Sequence, residues 1–204
     1  MEIMDNYILN GNSFYIRELS HDKDDKLFDE IVEHEDKVFG EGSVGKWNIK
    51  PFAKYGKVFA VLKKGKNNCT GENCGGNRAT GKVDGLEGDN VKEEFISDEL
   101  VSVIEVLRGF DMKTAYLYGV STVTEYERQG HAGKLLAYVM NYLMKHDISK
   151  VELTVGIDNE AAKNLYKKAG FVIAEKLENE YGENIDRYLM RYSVYYILYI
   201  KTKK

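Results

Sequence analysis

The chain alternates short runs of period-two hydrophobicity with longer stretches whose apolar positions recur every three or four residues. "SFYIREL" at 13–19 is the first alternating run and predicts a strand. "DKDDKLFDEIVEHEDKVF" sets Leu27, Phe28, Ile31, Val32, Val38 and Phe39 on one stripe with charges elsewhere, which predicts a solvated amphipathic helix. His34 falls off that stripe and is expected at the surface. "KWNIKPFAKYG", with the only Trp and the only Pro, predicts a loop or short helix, and "KVFAVLKK" a second strand. "LVSVIEVLRGF" and "TAYLYGVSTV" are two apolar strands joined by "DMK" at hairpin length. "GKLLAYVMNYLMKHD" follows as a helix buried along Leu135, Leu136, Val139, Tyr142 and Leu143. "SKVELTVGI" is a strand, "NEAAKNLYKKAG" a short helix stopped by Gly170, and "FVIAEKLENEY" and "DRYLMRYSVYYILYI" closing strands. No internal repeat is visible. Strands interleaved with helices predict an α/β or α+β class with a mixed sheet.

Composition changes this picture in one place. From about 65 to 98 the chain carries seven Gly and almost nothing large and apolar before Phe95. Such a stretch buries too little surface to offset its ordering entropy, so it reads as a loop insertion in a single domain spanning 1–204. It is either a decorated hairpin connection or a lid. Cys69 and Cys74 lie inside it, four residues apart, and are free thiols, a redox pair or a metal clip; two thiolates alone do not complete a zinc site. The run 194–200 has three tyrosines and no charge, and it either lengthens the last strand or pairs across a two-fold axis in a homodimer.

Charge mainly excludes. A formal net charge of −4 offers no electrostatic case for binding nucleic acid. No apolar run approaches the roughly 20 residues that cross a bilayer. "MEIMDNYILNG" lacks a basic stretch followed by an apolar core, so no secretory signal is predicted, and a cytoplasmic protein is expected.

The chemistry concentrates at 126–136, "YERQGHAGKLL", where small residues stand at the start of a helix. Glycine weakens a helix by roughly 1 kcal/mol relative to alanine, so Gly130 and Gly133 need a reason. A helix start presents about four N–H groups without partners and the positive end of the dipole. Small residues let an anion approach those donors, although a plain strand-to-helix turn would look similar. A dinucleotide fingerprint is not completed here.

A second motif decides between them. "DNEAAKNLYKKAGF" begins 28 residues after Gly130, beyond one helix and one strand. Together with "ERQGHAGKLL" it resembles the GNAT superfamily of acyl-CoA-dependent N-acetyltransferases. Asn159, Ala162, Leu165, Tyr166, Gly170 and Phe171 match the pattern N-x-x-A-x-x-L-Y-x-x-x-G-F, and Gly130 and Ala132 match Q/R-x-x-G-x-G/A. Glu127 departs from the Gln or Arg usual at its position. The resemblance covers 99–193 well and 13–64 loosely.

The resemblance implies a mixed, mostly antiparallel sheet flanked by helices on both faces, with acetyl-CoA as co-substrate and no metal. It implies that the pyrophosphate rests on the backbone of Arg128, Gln129, Gly130, His131, Ala132, Gly133 and Lys134. The pantetheine arm would run along the backbone of Val120, Thr122 and Val123, in a gap between two splayed strands. Asn159 would contact that arm while also capping a helix, and Tyr166 would act as general acid toward the departing thiolate. The implied reaction is direct attack of a primary amine, of a small molecule or a peptide, in a ternary complex. A non-catalytic acyl-CoA-binding module or sensor would keep the same anion cradle. The base is less defined. Related enzymes that acetylate ribosomal-protein N-termini carry a Glu where this chain has Thr154. Glu152 lies two residues before it, on the same sheet face. Glu105 interrupts the apolar strand "LVSVIEVL", where a carboxylate is costly unless paired or wet. It is therefore a structural pair or a catalytic residue.

Overall fold

The computed structural model describes residues 5–65 and 98–193. The predicted insertion, Cys69, Cys74 and the run 194–200 lie outside the described residues. One eight-stranded sheet organises the described part, with four α-helices divided between its faces.

The chain enters by a hairpin absent from the sequence expectation. β1 (Asp5–Leu9) pairs antiparallel with β2 (Asn12–Glu18) through a two-residue turn, Asn10–Gly11, both at positive φ. Positive φ at both central residues matches the right-handed twist of the flanking strands. α1 (Asp25–Phe39) and α2 (Ile49–Tyr55) follow and cover one face. β3 (Lys57–Lys63) and β4 (Glu99–Arg108) are central strands, buried on both sides. β5 (Thr114–Thr122) is antiparallel to β4, and α3 (His131–Lys145) crosses the second face to deliver β6 (Lys150–Gly156) parallel to β5. A parallel pair requires such a crossover. α4 (Glu160–Lys168) packs on the second face too, and β7 (Val172–Leu177) and β8 (Arg187–Ser193) close the sheet in the order β1-β2-β3-β4-β5-β6-β8-β7.

Two apolar cores result. The larger joins α3 and α4 to the sheet through Leu135, Leu136, Val139, Tyr166 and Phe171. The smaller joins α1 and α2 to the opposite face through Phe28, Ile31, Ile49 and Val103. The α1 stripe differs from expectation: Val38 and Phe39 are exposed, and Glu35 is buried in their stead. Glu35 stands four residues after Ile31 and seven after Phe28, on the apolar side of the helix. His34 is half-buried rather than a surface residue, and burial lowers its pKa.

Candidate active site

Between β5 and α3 a short 3-10 turn at 124–126 redirects the chain. Arg128 and Gly130 then adopt left-handed backbone angles, φ 59° and 87°. Gly130 caps α3, and a Cβ there would meet no protein atom within 4 Å. Packing therefore does not select glycine at 130; the backbone angle does, and the missing side chain leaves the helix start uncovered. No backbone N–H from 128 to 133 bonds another described residue, while Lys134 N–H closes the first helical turn on Gly130 O at 3.1 Å. These open donors, at the positive end of a fifteen-residue helix, have the layout of a cradle suited to an anion.

The side chains around the cradle mostly look elsewhere. The His131 ring is buried in the core, its Nδ1 2.6 Å from Tyr7 Oη and its centre 4.6 Å from that of Phe14. Burial, helped by the Lys134 charge, holds its pKa below the usual imidazole range. His131 thus offers the cradle only its backbone. Gln129 Nε2 turns back to Glu125 O at 2.9 Å, and Lys134 Nζ sits 3.9 Å from the centre of the Tyr7 ring.

Upstream of the cradle the sheet opens. β5 and β6 pair only at Thr114↔Lys150, Ala115↔Val151 and Tyr116↔Glu152. β5 continues to Thr122 and β6 to Gly156 without pairing to each other, so a gap widens toward the cradle. Val123 N–H donates to Val101 O at 2.9 Å, and Val123 O accepts from Tyr126 N–H at 2.8 Å. Val123 is therefore fully engaged and gives the gap nothing. Bonded pairs alternate along an antiparallel ladder, so Gly119 and Ser121 face β4 while Val120 and Thr122 turn their backbone groups into the gap.

Tyr166 approaches the gap from α4. It is buried, and burial pushes its phenol up to about 12. Asn159 Oδ1 accepts from Ala162 N–H at 3.0 Å, so the residue caps α4. From the other face comes a hydroxyl cluster: Tyr116 Oη lies 2.9 Å from Thr154 Oγ1, which lies 3.2 Å from Tyr181 Oη. Glu152 is engaged by Arg191 at 2.7 Å and Lys150 at 3.7 Å.

Glu105 lies fully buried and finds another acid beside it. It is 0% exposed, as is Glu35, and the two carboxyls face each other beneath β5. Glu35 also accepts a backbone bond from Val44 and lies 3.5 Å from Ser121 Oγ. Two buried carboxylates at close range oppose each other's ionisation, and among the described residues neither Glu105 oxygen has a hydrogen-bond partner. Burial first, and the Glu35 charge second, raise Glu105 well above the usual carboxylate range. Burial raises Glu35 too. The strand above accommodates the pair. A bulge leaves Tyr118 without a partner on β4, and a Cβ on Gly119 would collide with Glu105 Oε2 and stand 3.2 Å from Glu35 Oε1. Tyr118 is raised by burial and then by the Glu35 charge, and its ring lies 4.9 Å from that of Phe52 on α2.

Glu35, Tyr116, Tyr118, Tyr181 and Arg187 are the neighbours that sequence reasoning passed over. Only Glu35 carried a visible signal, as an acid on an apolar helical stripe.

The chain has likenesses among known proteins. A family model for the acetyltransferase (GNAT) family matches residues 90–171, which hold β4, β5, the cradle and α4. The match covers less than half of the chain and is a likeness of that segment to the family. An N-alpha-acetyltransferase of Sulfurisphaera tokodaii is 31% identical over 80 residues, 39% of this chain; the chain spans about half of that relative's length, 48%. Across the whole GNAT fold, Ard1 from Thermoplasma volcanium superposes with a TM-score of 0.62 over 89% of this chain and 97% of its own, at 18% identity. A GNAT family acetyltransferase from Elizabethkingia anophelis with acetyl-CoA bound does so at 0.58, over 89% and 98%, at 14% identity. These two likenesses establish the mixed, mostly antiparallel GNAT fold. Among the described residues no helix is long and apolar enough to cross a membrane.

Proposed function

We propose that this domain transfers the acetyl group of acetyl-CoA to a primary amine by direct attack in a ternary complex. The observation that carries this is the parting of β5 from β6 beyond Tyr116, directly upstream of the uncovered N–H groups at 128–133. The pyrophosphate occupies those donors, and the pantetheine arm lies along Val120 and Thr122. One of these two N–H groups polarises the thioester carbonyl and holds the oxyanion. The amine nitrogen bonds to the carbonyl carbon, the C–S bond breaks, and the nitrogen loses a proton. Tyr166 faces the departing sulfur. A phenol near 12 is a weaker acid than a thiol near 8.5. Tyr166 therefore stabilises the thiolate mainly as a hydrogen-bond donor, worth at most about 10² in rate.

An alkylamine with a pKa near 10.4 is neutral in only about one molecule in 2,500 at pH 7, so its proton needs an acceptor. We assign that role to Glu105 in its pair with Glu35, reached through water beside Tyr118. A raised pKa brings the pair nearer to working pH than an ordinary carboxylate. The same burial supports a second reading, an acyl-CoA-binding module without turnover, because no open carboxylate lines the gap among the described residues. A thiol-release assay with acetyl-CoA and panels of primary amines, read alongside calorimetric binding of acetyl-CoA, separates the two. Binding with release on an amine establishes transfer; binding without release on any amine leaves the module. Cytoplasmic location and a homodimer formed through 194–200 complete the proposal. Truncation after Tyr192 should lower the mass seen by light scattering.

A further inference from the structure

Arg187 opens β8 opposite Gly156, the last residue of β6, which puts it at the rim of the gap. Four residues along the same strand, Arg191 has a carboxylate partner in Glu152 at 2.7 Å. Arg17 likewise has Asp24 at 2.6 Å, and Arg108 and Arg128 are exposed. Arg187 is the half-buried arginine that, among the described residues, has no carboxylate within 4.0 Å. Its guanidinium is nevertheless held in place. One Nη donates to Thr154 O at 3.2 Å, Cζ lies 4.9 Å from the centre of the Tyr181 ring, and Nε is buried without a partner. Withdrawing a cation from water without an anion is unfavourable. A rigid fork of donors over an aromatic ring is the arrangement that receives a carboxylate.

The surroundings are neutral hydroxyls, those of Tyr116, Thr154 and Tyr181. The acids Glu35 and Glu105 lie apart from them, fully buried beneath Gly119. At the start of β8 the gap thus presents a cation among neutral hydroxyls. We infer that Arg187 selects acceptors bearing a carboxylate a few bonds from the amine, such as a free amino acid or a peptide with an acidic residue next to its N-terminus. This rests on the acetyl-transfer reading above.

The test compares wild type with Arg187→Gln and Arg187→Lys on matched acceptors: an amino acid against its amide, and short peptides with Glu or Gln at the second position. We expect wild type to favour the carboxylate member of at least one pair by about tenfold or more in kcat/KM, mostly through KM, since a charge-assisted pair is worth that much. The amino-acid pair and the peptide pair tell the two sources apart. Arg187→Gln should bring the pair near parity, with Arg187→Lys between, and melting curves confirm that both variants fold. No preference in wild type overturns the inference. An equal fall in kcat on every acceptor also overturns it, because Arg187 would then serve the leaving sulfur. If no acceptor turns over, acetyl transfer itself fails. Calorimetry of N-acetylglutamate on the CoA-loaded protein still decides Arg187: binding lost in Arg187→Gln supports it, and binding unchanged or absent in wild type overturns it.

Discussion

The two halves of the gap are built by different means. The side proposed for the cofactor is one continuous stretch, 128–133, whose donors are left open by a turn and a helix start next to each other in sequence. The side proposed for the acceptor is assembled from Glu35 on α1, Phe52 on α2, Glu105 on β4, Tyr118 on β5, Thr154 on β6 and Arg187 on β8. A local device has one point of failure. A distributed one fails by degrees, and each residue in it answers to a different partner.

The comparison breaks most sharply at Gly130. Replacing it with Val forces a β-branched residue to φ near 87° and covers the open N–H groups. We expect the KM for acetyl-CoA to rise on the order of 10²-fold, as charged hydrogen bonds to a phosphate are lost, with the acceptor KM changing far less. Equal weakening of both substrates would erase the distinction. Tyr166→Phe comes next: kcat should fall by about 10- to 10²-fold with little change in either KM. An unchanged kcat under chemistry-limited conditions removes Tyr166 from the mechanism.

Smaller effects sharpen the acceptor side. Glu105→Gln keeps a donor for Glu35 and removes the charge that the pair must suppress. In wild type the folded pKa of Glu105 lies above its unfolded value, so its contribution to stability is complete below the ordinary carboxylate range and is lost as pH rises through the raised value. The variant should therefore melt like wild type near pH 4 and a few degrees higher at pH 8, about 1 kcal/mol. It should also lose the acidic limb of the pH–kcat/KM profile. Parallel melting curves across pH would show that folding does not raise the Glu105 pKa. Asn159→Ala gives the smallest change, about 1 kcal/mol of stability through the lost cap of α4, checked by urea unfolding.

Much of the chain was legible because its signals are local. The strands at 57–63, 99–108 and 114–122, both long helices and the helix start at 131 follow from periodicity and turn chemistry within short windows. The hairpin at 5–18 was overlooked although Asn10–Gly11 announced it. Val123 was expected to face the gap and instead bonds to Val101 and Tyr126, because a register, not a residue type, decides which N–H groups a strand leaves free.

The sequence by itself pointed to the resemblance, to the helix start after Gly130 and to the cap at Asn159, since each depends on neighbours within a few positions of the chain. Only the tertiary structure decided what Glu105 and Arg187 are. One sits under a bulge beside an acid seventy residues earlier, and the other stands beside a threonine thirty-three residues before it, with no carboxylate in reach among the described residues. A side chain's charge state and its free donors are set by what lies within a few ångströms. For these two residues those neighbours come from other strands and helices, which no spacing in the sequence encodes.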